Sequence, residues 1–172
     1  MSPRAKSLGT LIRHYIDQID RDLEAAYLAT GLDWRPRYTP VLRALMSIGP
    51  ASIRTLSNII GITHGAISQT VAQMEKRGLV ELQKGNDARE RIVQITSKTE
   101  AMIPALQWHW DVAIAVTMGI DADLSTPIST VMLEAIDALN LVPYKDRFQR
   151  AAEVMPPMPI PFDRNSLPEE SL

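Results

Sequence analysis

The chain has 172 residues, of which 45% are hydrophobic and 22% are charged, proportions typical of one globular domain with a substantial core. Cysteine is absent, which excludes disulfides, thiolate nucleophiles and sulfur-ligated zinc. The net charge of −2 is unevenly distributed: residues 1–51 and 52–96 each carry two surplus positive charges, and residues 97–172 carry six surplus negative charges. A basic first half suits a phosphate-binding face, although so small a surplus also occurs on ordinary protein surfaces.

The N-terminal residues pass directly into a charged amphipathic stretch, with no apolar segment of the kind that directs secretion. The longest apolar run, residues 112–116, is far shorter than the roughly 20 residues that a membrane span needs. We therefore expect a soluble, cytoplasmic protein with no membrane partner.

Two helices are predicted in the first part of the chain. Apolar residues recur at helical spacing over residues 8–27, which predicts a long amphipathic helix capped by Ser7 and ended by Gly31. After an irregular link, a shorter helix is expected over residues 39–48. We assign residues 1–38 to an N-terminal dimerisation helix and its link.

A helix, a tight turn and a second helix are predicted within residues 52–78. Ser52 and Thr63 can cap the two helices, because their hydroxyl oxygens can accept hydrogen bonds from the first free amides. Gly61 permits the left-handed conformation that ends the first helix, and Ile62 is expected to fill the angle between the two. This spacing is typical of a helix-turn-helix.

The second of these helices is expected to bury the apolar line Ile67, Val71 and Met74 and to expose a small, polar face. Ser and Gln side chains allow close approach to base edges and phosphates, whereas a solvated face usually favours Glu and Lys. We therefore interpret it as a recognition helix in preference to a plain solvated surface. The candidates for base-edge contact are His64, Ser68, Gln69 and Gln73, and those for phosphate contact are Thr63, Thr70 and Arg77.

Alternating residues on either side of a turn-forming sequence predict a β-hairpin over residues 79–95. Its tip would extend cationic side chains beyond the fold, where DNA could accept them. A charged turn can also serve only to keep edge strands soluble, so the preceding helix pair is what favours a DNA-binding wing. The wing candidates for DNA contact are Lys84, Arg89 and Arg91. We assign residues 39–96 to a winged helix-turn-helix DNA-binding domain.

Two more helices are predicted after the hairpin. Ser97 and Glu100 form a capping-box pattern that opens the first, which Pro104 should bend or confine to a later start. The second is expected over residues 125–140. Because the helices at the two ends of the chain present more apolar surface than a small winged domain can cover, we assign residues 97–143 to dimerisation.

The last part of the chain is rich in proline, with six of the twelve prolines in residues 143–172. Residues 144–155 have the composition of one extra helix, and the remainder is expected to be extended or mobile. We treat residues 144–172 as a proline-rich tail.

The order of these elements resembles the MarR family of dimeric winged-helix transcription regulators. The resemblance is carried by residues 56–62, by residues 68–80 and by residues 87–96, which match the family's Asp-x-Arg wing with an apolar-Thr ending. It implies a mainly α fold class with a small β-hairpin wing, in which a winged helix-turn-helix lobe joins a helical dimerisation region. By the same likeness Arg89 would enter the minor groove, and Asp87 would orient a wing arginine.

The resemblance also implies a small-molecule pocket between the dimer helices and the DNA-binding lobe. Aromatic rings beside a cation could hold an aromatic carboxylate there, or the same rings could simply fill the core and the dimer interface. The candidate pocket residues are Trp34, Arg37, Tyr38, Trp108 and His109.

No catalytic constellation is present in the sequence. His14, His64 and His109 lie on three different predicted helices, without the spacing of paired metal ligands. We therefore expect no enzyme, no metal site and no cofactor.

Together these features predict a homodimeric, sequence-specific regulator that binds double-stranded DNA, a repressor that a small aromatic ligand could release. A two-fold axis would bring the recognition helices to half-sites about 34–36 Å apart. The alternative is a winged-helix protein-interaction module that docks partners through its acidic C-terminal half and tail. Removal of the tail would distinguish the two, because it should spare DNA binding and abolish partner capture.

Overall fold

The computed structural model describes residues 7–84 and 91–156. These residues form two compact units, one ending at Val116 and the other beginning at Thr117. The helices are α1 (Leu8–Ala29), α2 (Thr39–Ile48), α3 (Ile53–Ile60), α4 (His64–Lys76), α5 (Ser97–Asp123), α6 (Ile128–Leu141) and α7 (Tyr144–Val154), and the strands are β1 (Ala51–Ser52), β2 (Val80–Lys84) and β3 (Arg91–Ile95). The predicted fold class, mainly α with a small β wing, is confirmed.

The first two helices begin and end where the sequence predicts. The Ser7 side chain accepts a hydrogen bond from the Thr10 amide at the start of α1, and the chain leaves that helix through Gly31, whose φ is +80°. The link to α2 is more ordered than expected, because it contains a 3-10 turn at Pro36–Tyr38. Gly49 ends α2 with its amide bonded to the Leu45 carbonyl oxygen.

The helix-turn-helix is formed by α3 and α4, with the predicted caps. The Ser52 hydroxyl oxygen accepts from the Thr55 amide at 3.2 Å, and the Thr63 hydroxyl oxygen accepts from the Ala66 amide at 3.4 Å. Gly61 ends α3 in the left-handed conformation, with φ of +74°. The turn is therefore specified by its own local hydrogen bonding.

The expectation for Ile62 is wrong. Its side chain is 43% exposed and does not fill the angle between the helices. Only its carbonyl oxygen is engaged, because it accepts the Ser57 hydroxyl at 2.6 Å. Position 62 follows directly on the left-handed Gly61, and this reversal of the chain directs the side chain towards solvent.

The predicted hairpin is present as β2 and β3, but the sheet has a third strand. The two residues of β1 pair with Val93 and Ile92 on the other edge of β3, which gives the strand order β1-β3-β2. The sequence does not predict β1, because two residues are too few to show an alternating pattern.

The core lies in the first unit and packs the helix-turn-helix against the sheet, α2 and the two long helices. It contains Tyr27, Leu32, Trp34, Tyr38, Val41, Leu42, Ala44, Leu45, Ala51, Leu56, Ile67, Val71, Met74, Leu79, Val80, Val93, Leu106 and Trp110. This one cluster fixes α4 against the rest of the lobe.

The start of α5 differs from the predicted capping box. Thr96 replaces Ser97 as the cap, since its hydroxyl oxygen accepts from the Thr99 amide at 3.4 Å. The buried Thr99 hydroxyl donates to the Leu79 carbonyl oxygen at 2.6 Å, which ties the helix to the first residues after α4. The alternative of a start after Pro104 is wrong, because the helix runs through this residue.

In the second unit, α6 begins three residues later than predicted. The carboxylate of Asp121 accepts hydrogen bonds from the Ile128 amide at 2.8 Å and from the Ser129 hydroxyl at 2.6 Å. An acidic residue of α5 therefore caps the N-terminal end of α6. The extra helix expected over residues 144–155 is present as α7. Neither α6 nor α7 has a buried residue in this chain.

The predicted hairpin tip, with Asp87 and Arg89, lies outside the described residues, as does the chain after Pro156. Within the described ranges, no helix combines the length and the apolar character that a membrane crossing requires.

Candidate nucleic-acid interface

Helix α4 presents a polar face that is held outward by three buried apolar residues. Ile67, Val71 and Met74 face the core, as predicted. The candidate contact residues on the other side are His64 and Gln69, which are exposed, and Ser68, Thr70 and Gln73, which are half-buried. The face available for base contact is therefore narrower than the sequence alone indicates, with Gln69 at its exposed centre.

The N-terminal end of α4 is suited to a negatively charged partner. Thr63 caps the helix, and the first turn contains no acidic side chain. Free amides and the positive end of the helix dipole therefore lack a charged partner within that turn. A phosphate is one group that such a helix end binds.

The C-terminal end of α4 is fixed by charged contacts. The Arg77 guanidinium donates to the Asp33 carboxylate at 2.6 Å, which joins the helix to the loop after α1. The Lys98 ammonium donates to the Arg77 carbonyl oxygen at 2.9 Å. Arg77, a predicted phosphate contact, therefore already has a carboxylate partner, and this contact holds the end of α4 against the loop after α1.

The base of the wing carries two cations side by side. Lys84 and Arg91 are directly opposite each other in the β2–β3 ladder, and both are exposed. Like charges at directly paired positions destabilise a sheet. An anion such as a DNA phosphate would relieve this repulsion.

A cationic depression of about 420 Å³ adjoins the second half of α4, and we call it the arginine pocket. It is lined by Arg35, Arg37, Tyr38, Gln73, Lys76 and Arg77. Arg35 and Lys76 are absent from the site residues predicted from the sequence, although Arg-Pro-Arg at residues 35–37 is a visible local cluster of charge.

Carboxylates surround the arginine pocket without lining it. Glu24 lies 3.6 Å from the Arg35 guanidinium, and Asp33 pairs with Arg77. Burial, followed by the nearby Asp17 and Glu24 carboxylates, raises the pKa of Asp20, whereas the positive charge of Arg37 opposes that rise. The cations of the pocket are thus partly neutralised by acids that belong to α1 and its following loop.

Comparison with known proteins agrees with this geometry. Residues 31–90, which include α2, the helix-turn-helix and β2, match the model of the MarR family. These residues are therefore similar to the MarR family over about a third of the chain. A curated relative, the uncharacterized HTH-type transcriptional regulator YwoH of Bacillus subtilis, is 28% identical over 60 residues, a match that covers 35% of this chain and 44% of YwoH. The chain therefore matches less than half the length of this relative.

Solved structures share the fold of this chain. The transcriptional regulator MOSR of M. tuberculosis in complex with DNA is 20% identical, with a TM-score of 0.59 over 77% of this chain and 93% of its own. Overoxidized AbfR bound to DNA is 14% identical, with a TM-score of 0.59 over 78% and 90%. PcaV of Streptomyces coelicolor in complex with its natural ligand is 21% identical, with a TM-score of 0.55 over 83% and 97%. At such identities the likeness establishes the winged-helix fold.

The candidate ligand-pocket residues of this chain fall into two groups. Trp34 and Tyr38 are core residues with their ring centroids 5.6 Å apart, and the exposed Arg37 lies over the Tyr38 ring. Trp108 is 59% exposed, and its ring centroid lies 4.9 Å from that of the buried His109. The structure brings the members of each group together, and a ligand bound by these residues remains a prediction.

His109 is engaged in a contact that the sequence did not reveal. Its Nε2 lies 2.8 Å from the Thr30 hydroxyl oxygen, and that hydroxyl donates to the Tyr27 carbonyl oxygen at 3.0 Å. With that hydroxyl donating to Tyr27, the His109 tautomer that carries its hydrogen on Nε2 would complete this chain of hydrogen bonds. His109 therefore joins α5 to the end of α1.

Proposed function

We propose that this chain is a transcriptional regulator that binds double-stranded DNA sequence-specifically as a homodimer. The observation that carries the proposal is the exposed polar face of α4, braced by a buried apolar line and flanked by a cationic wing. Two proteins that share this fold, MOSR and AbfR, have been solved in complex with DNA. We assign no catalytic step to the chain.

In this proposal α4 enters the major groove. Gln69, exposed at the centre of the face, is suited to a bidentate contact with a base edge, and His64 and Ser68 are suited to flanking contacts. Phosphate contacts would come from the first turn of α4 around Thr63 and from Thr70 and Arg77. At the wing, Lys84 and Arg91 would contact phosphates while Arg89, oriented by Asp87, enters the minor groove.

The proposed dimer is supported by apolar side chains that are exposed in the single chain. In α1 these are Leu8, Leu11, Ile16 and Ile19, and in α6 they include Val131, Ile136 and Leu139. Exposed apolar surface of this extent marks an interaction site, and a second copy offers the same apolar faces across a two-fold axis. Two recognition helices would then read half-sites about 34–36 Å apart.

We further propose that the regulator is a repressor and that a small ligand releases it. PcaV, which shares the fold, was solved in complex with its natural ligand. Such a ligand would act by favouring a dimer in which the spacing of the two α4 helices no longer matches the DNA, which requires unequal affinity for the two states. The protein-interaction module suggested by the acidic C-terminal half gains no support from these relatives.

The proposal is tested by fluorescence anisotropy with duplex DNA from upstream of the protein's own gene, beside a scrambled duplex. We expect one dimer per site and preference for the upstream sequence. Gln69→Ala should weaken that preference by about 1–3 kcal/mol and leave binding to the scrambled duplex unchanged. The matched control is Gln18→Ala, the same substitution on the exposed surface of α1. Equal loss in both variants would refute the role of α4.

A second variant examines the wing. Arg89→Ala should weaken binding to every duplex and reduce the slope of log affinity against log salt by about one charge per site. The measurement is the same titration repeated at several salt concentrations. An unchanged affinity and slope would remove Arg89 from the interface while leaving the assignment of α4 intact.

A further inference from the structure

The arginine pocket has the chemistry of an anion site on the flank of the recognition helix. We propose that it binds a single oxyanionic group, a phosphate or a carboxylate, through Arg35, Arg37 and Lys76, with Tyr38 and Gln73 as further hydrogen-bond partners. The sequence assigns Arg37 and Tyr38 to a ligand pocket and Gln73 and Arg77 to DNA contact, and it does not join them with Arg35 and Lys76 in one anion site.

The charge of the lining argues for an anion. Four of the six lining residues are cationic and none is acidic. The guanidinium carbons of Arg37 and Arg77 lie 5.7 and 5.8 Å from the centroid of the Tyr38 ring, so two cations are held close to one aromatic side chain. A planar guanidinium binds oxyanions with two parallel hydrogen bonds, which makes arginine the preferred residue for this task.

Buried polar atoms with missing or weak partners are a second reason, independent of the charge, to place an anion in the arginine pocket. The Tyr38 hydroxyl oxygen and Oε1 of Gln73 are buried without a hydrogen-bond partner among the described residues, and Nε of Arg35 is buried with only a long ion pair of 3.6 Å to Glu24. Buried polar atoms are almost always hydrogen-bonded, so two unpaired atoms and one weakly paired atom on residues that line one pocket indicate a missing partner.

The polarity of these atoms indicates what that partner is. Nε–H and the Tyr38 hydroxyl are donors, and a half-turn of the Gln73 amide brings its NH2 group to the position of Oε1. Donors of this kind, beside cations, require an acceptor that carries negative charge.

The acids beside the pocket are competitors that an oxyanion can displace. Asp33 and Glu24 are substantially exposed, and exposed ion pairs contribute little to stability. Lys76 has no hydrogen-bond or ion-pair partner within residues 7–84 and 91–156. An entering anion would therefore meet Arg37 and Lys76, which have no ion pair among the described residues, and two arginines whose carboxylate partners are held weakly.

Two sources could supply the oxyanion. The pocket shares Gln73 and Arg77 with the candidate DNA interface, so a backbone phosphate of bound DNA could occupy it. A free small anion could occupy the pocket instead and alter the position of α4 without contacting DNA. The first case rests on the proposed function, whereas the second does not require DNA, and the two are separated by a measurement with free phosphate and a measurement with DNA.

The phosphate measurement uses the full chain labelled with ¹⁵N and titrated with inorganic phosphate at constant ionic strength. We expect saturable shifts of the Arg35 Nε–H and Gln73 side-chain signals. Arg35→Gln should weaken phosphate binding about tenfold. Asp33→Asn should strengthen it about two- to fivefold, because Arg77 is released from its carboxylate partner.

Matched variants separate this effect from a folding defect or from net charge. Arg35→Gln and Asp33→Asn act in opposite directions, which a loss of folding cannot reproduce. Arg21→Gln makes the same change of charge at an exposed position of α1 outside the pocket, and it should leave phosphate affinity unchanged.

The DNA measurement repeats the anisotropy titrations with Arg35→Gln. If a DNA phosphate occupies the pocket, binding to the upstream and scrambled duplexes should weaken equally, and the salt slope should fall by about one. If a free anion occupies it, the affinity of Arg35→Gln for DNA should equal that of the unaltered protein in phosphate-free buffer. Added phosphate should then change the DNA affinity of the unaltered protein alone.

The outcomes distinguish the two proposals. Absence of saturable phosphate shifts, combined with no effect of Arg35→Gln on either duplex, overturns the pocket. Sequence-specific DNA binding together with that result leaves the proposed function standing. Phosphate binding that follows the three variants, without any preference among duplexes, supports the pocket and contradicts the proposed function.

Discussion

The helix pair α3–α4 and the helix pair α6–α7 differ in whether their apolar side chains are buried. The first pair contributes Leu56, Ile67, Val71 and Met74 to the core of its own unit. The second pair has no buried residue, although α6 is the more continuously apolar sequence. An amphipathic helix is stabilised mainly by covering its apolar face. The helix-turn-helix lobe therefore buries its own apolar faces, whereas the C-terminal helices leave theirs exposed, and we propose that a second copy covers them.

The largest predicted effect is on the free energy of unfolding and comes from a substitution in the core of the first unit. Leu56 is fully buried in α3, so Leu56→Ala should lower the free energy of unfolding by about 2–5 kcal/mol through lost burial and the remaining cavity. Ile59 on the same helix is 54% exposed, and Ile59→Ala should cost less than about 1 kcal/mol. Urea unfolding at one fixed protein concentration measures both. Similar losses of stability in the two variants would contradict the assignment of Leu56 to the buried face of α3 and of Ile59 to its exposed face.

A charged substitution in the helix pair α6–α7 should change the oligomeric state of the protein. Ile136→Asp puts a carboxylate on the exposed apolar face of α6, and a two-fold interface contains it twice. We expect dimer dissociation to become easier by about 2 kcal/mol or more, roughly thirtyfold, because an unpaired charge must be buried. Sedimentation equilibrium measures this change. Asp137→Asn on the same helix is the control, and a dimer equally stable in both variants would exclude α6 from the interface.

The turn of the helix-turn-helix offers a smaller and sharper test. Gly61 has φ of +74°, a conformation that a Cβ disfavours, so Gly61→Ala should cost about 1–2 kcal/mol. Gly65 lies within α4 with no atom within 4 Å of an added Cβ. Gly65→Ala should instead stabilise the fold by up to about 1 kcal/mol. Thermal unfolding of both variants gives the comparison, and a loss from Gly65→Ala would show that α4 is packed more closely than described.

The smallest predicted effect is the pH dependence of stability at the start of α6, in the second unit. The Ser129 hydroxyl, followed by the backbone amides of Ile128 and Ser129, donates to Asp121 and lowers the pKa of this carboxyl below its ordinary value. A carboxyl with a lowered pKa in the folded state stabilises that state at neutral pH, and the stabilisation disappears as the pH falls through the folded-state pKa. Amide exchange in the first turn of α6 should therefore increase on acidification.

Asp121→Asn supplies the control for this pH effect. The amide side chain does not titrate, so the additional opening of α6 at low pH should be absent in the variant. The same pH dependence in both proteins would place its origin in another group.

Much of the helix-turn-helix could be predicted because its signals are local. The hydroxyl of Thr63 accepts a hydrogen bond from an amide three residues later, and Gly61 supplies a conformation that few other residues adopt. The period of Ile67, Val71 and Met74 likewise gave the correct buried face of α4. Where the cap depended on a distant residue, as Asp121 does for α6, the predicted start was wrong.

The amino-acid sequence by itself determined the order of the helices, helix α4 with its caps, the β2–β3 hairpin and the likeness to the MarR family. Only the tertiary structure decided what surrounds that helix. Arg77 meets Asp33 across 44 residues, and the arginine pocket combines residues from the link before α2 with residues from α4. Periodicity and capping report contacts within a few residues, whereas these contacts arise only when the core brings separate segments together.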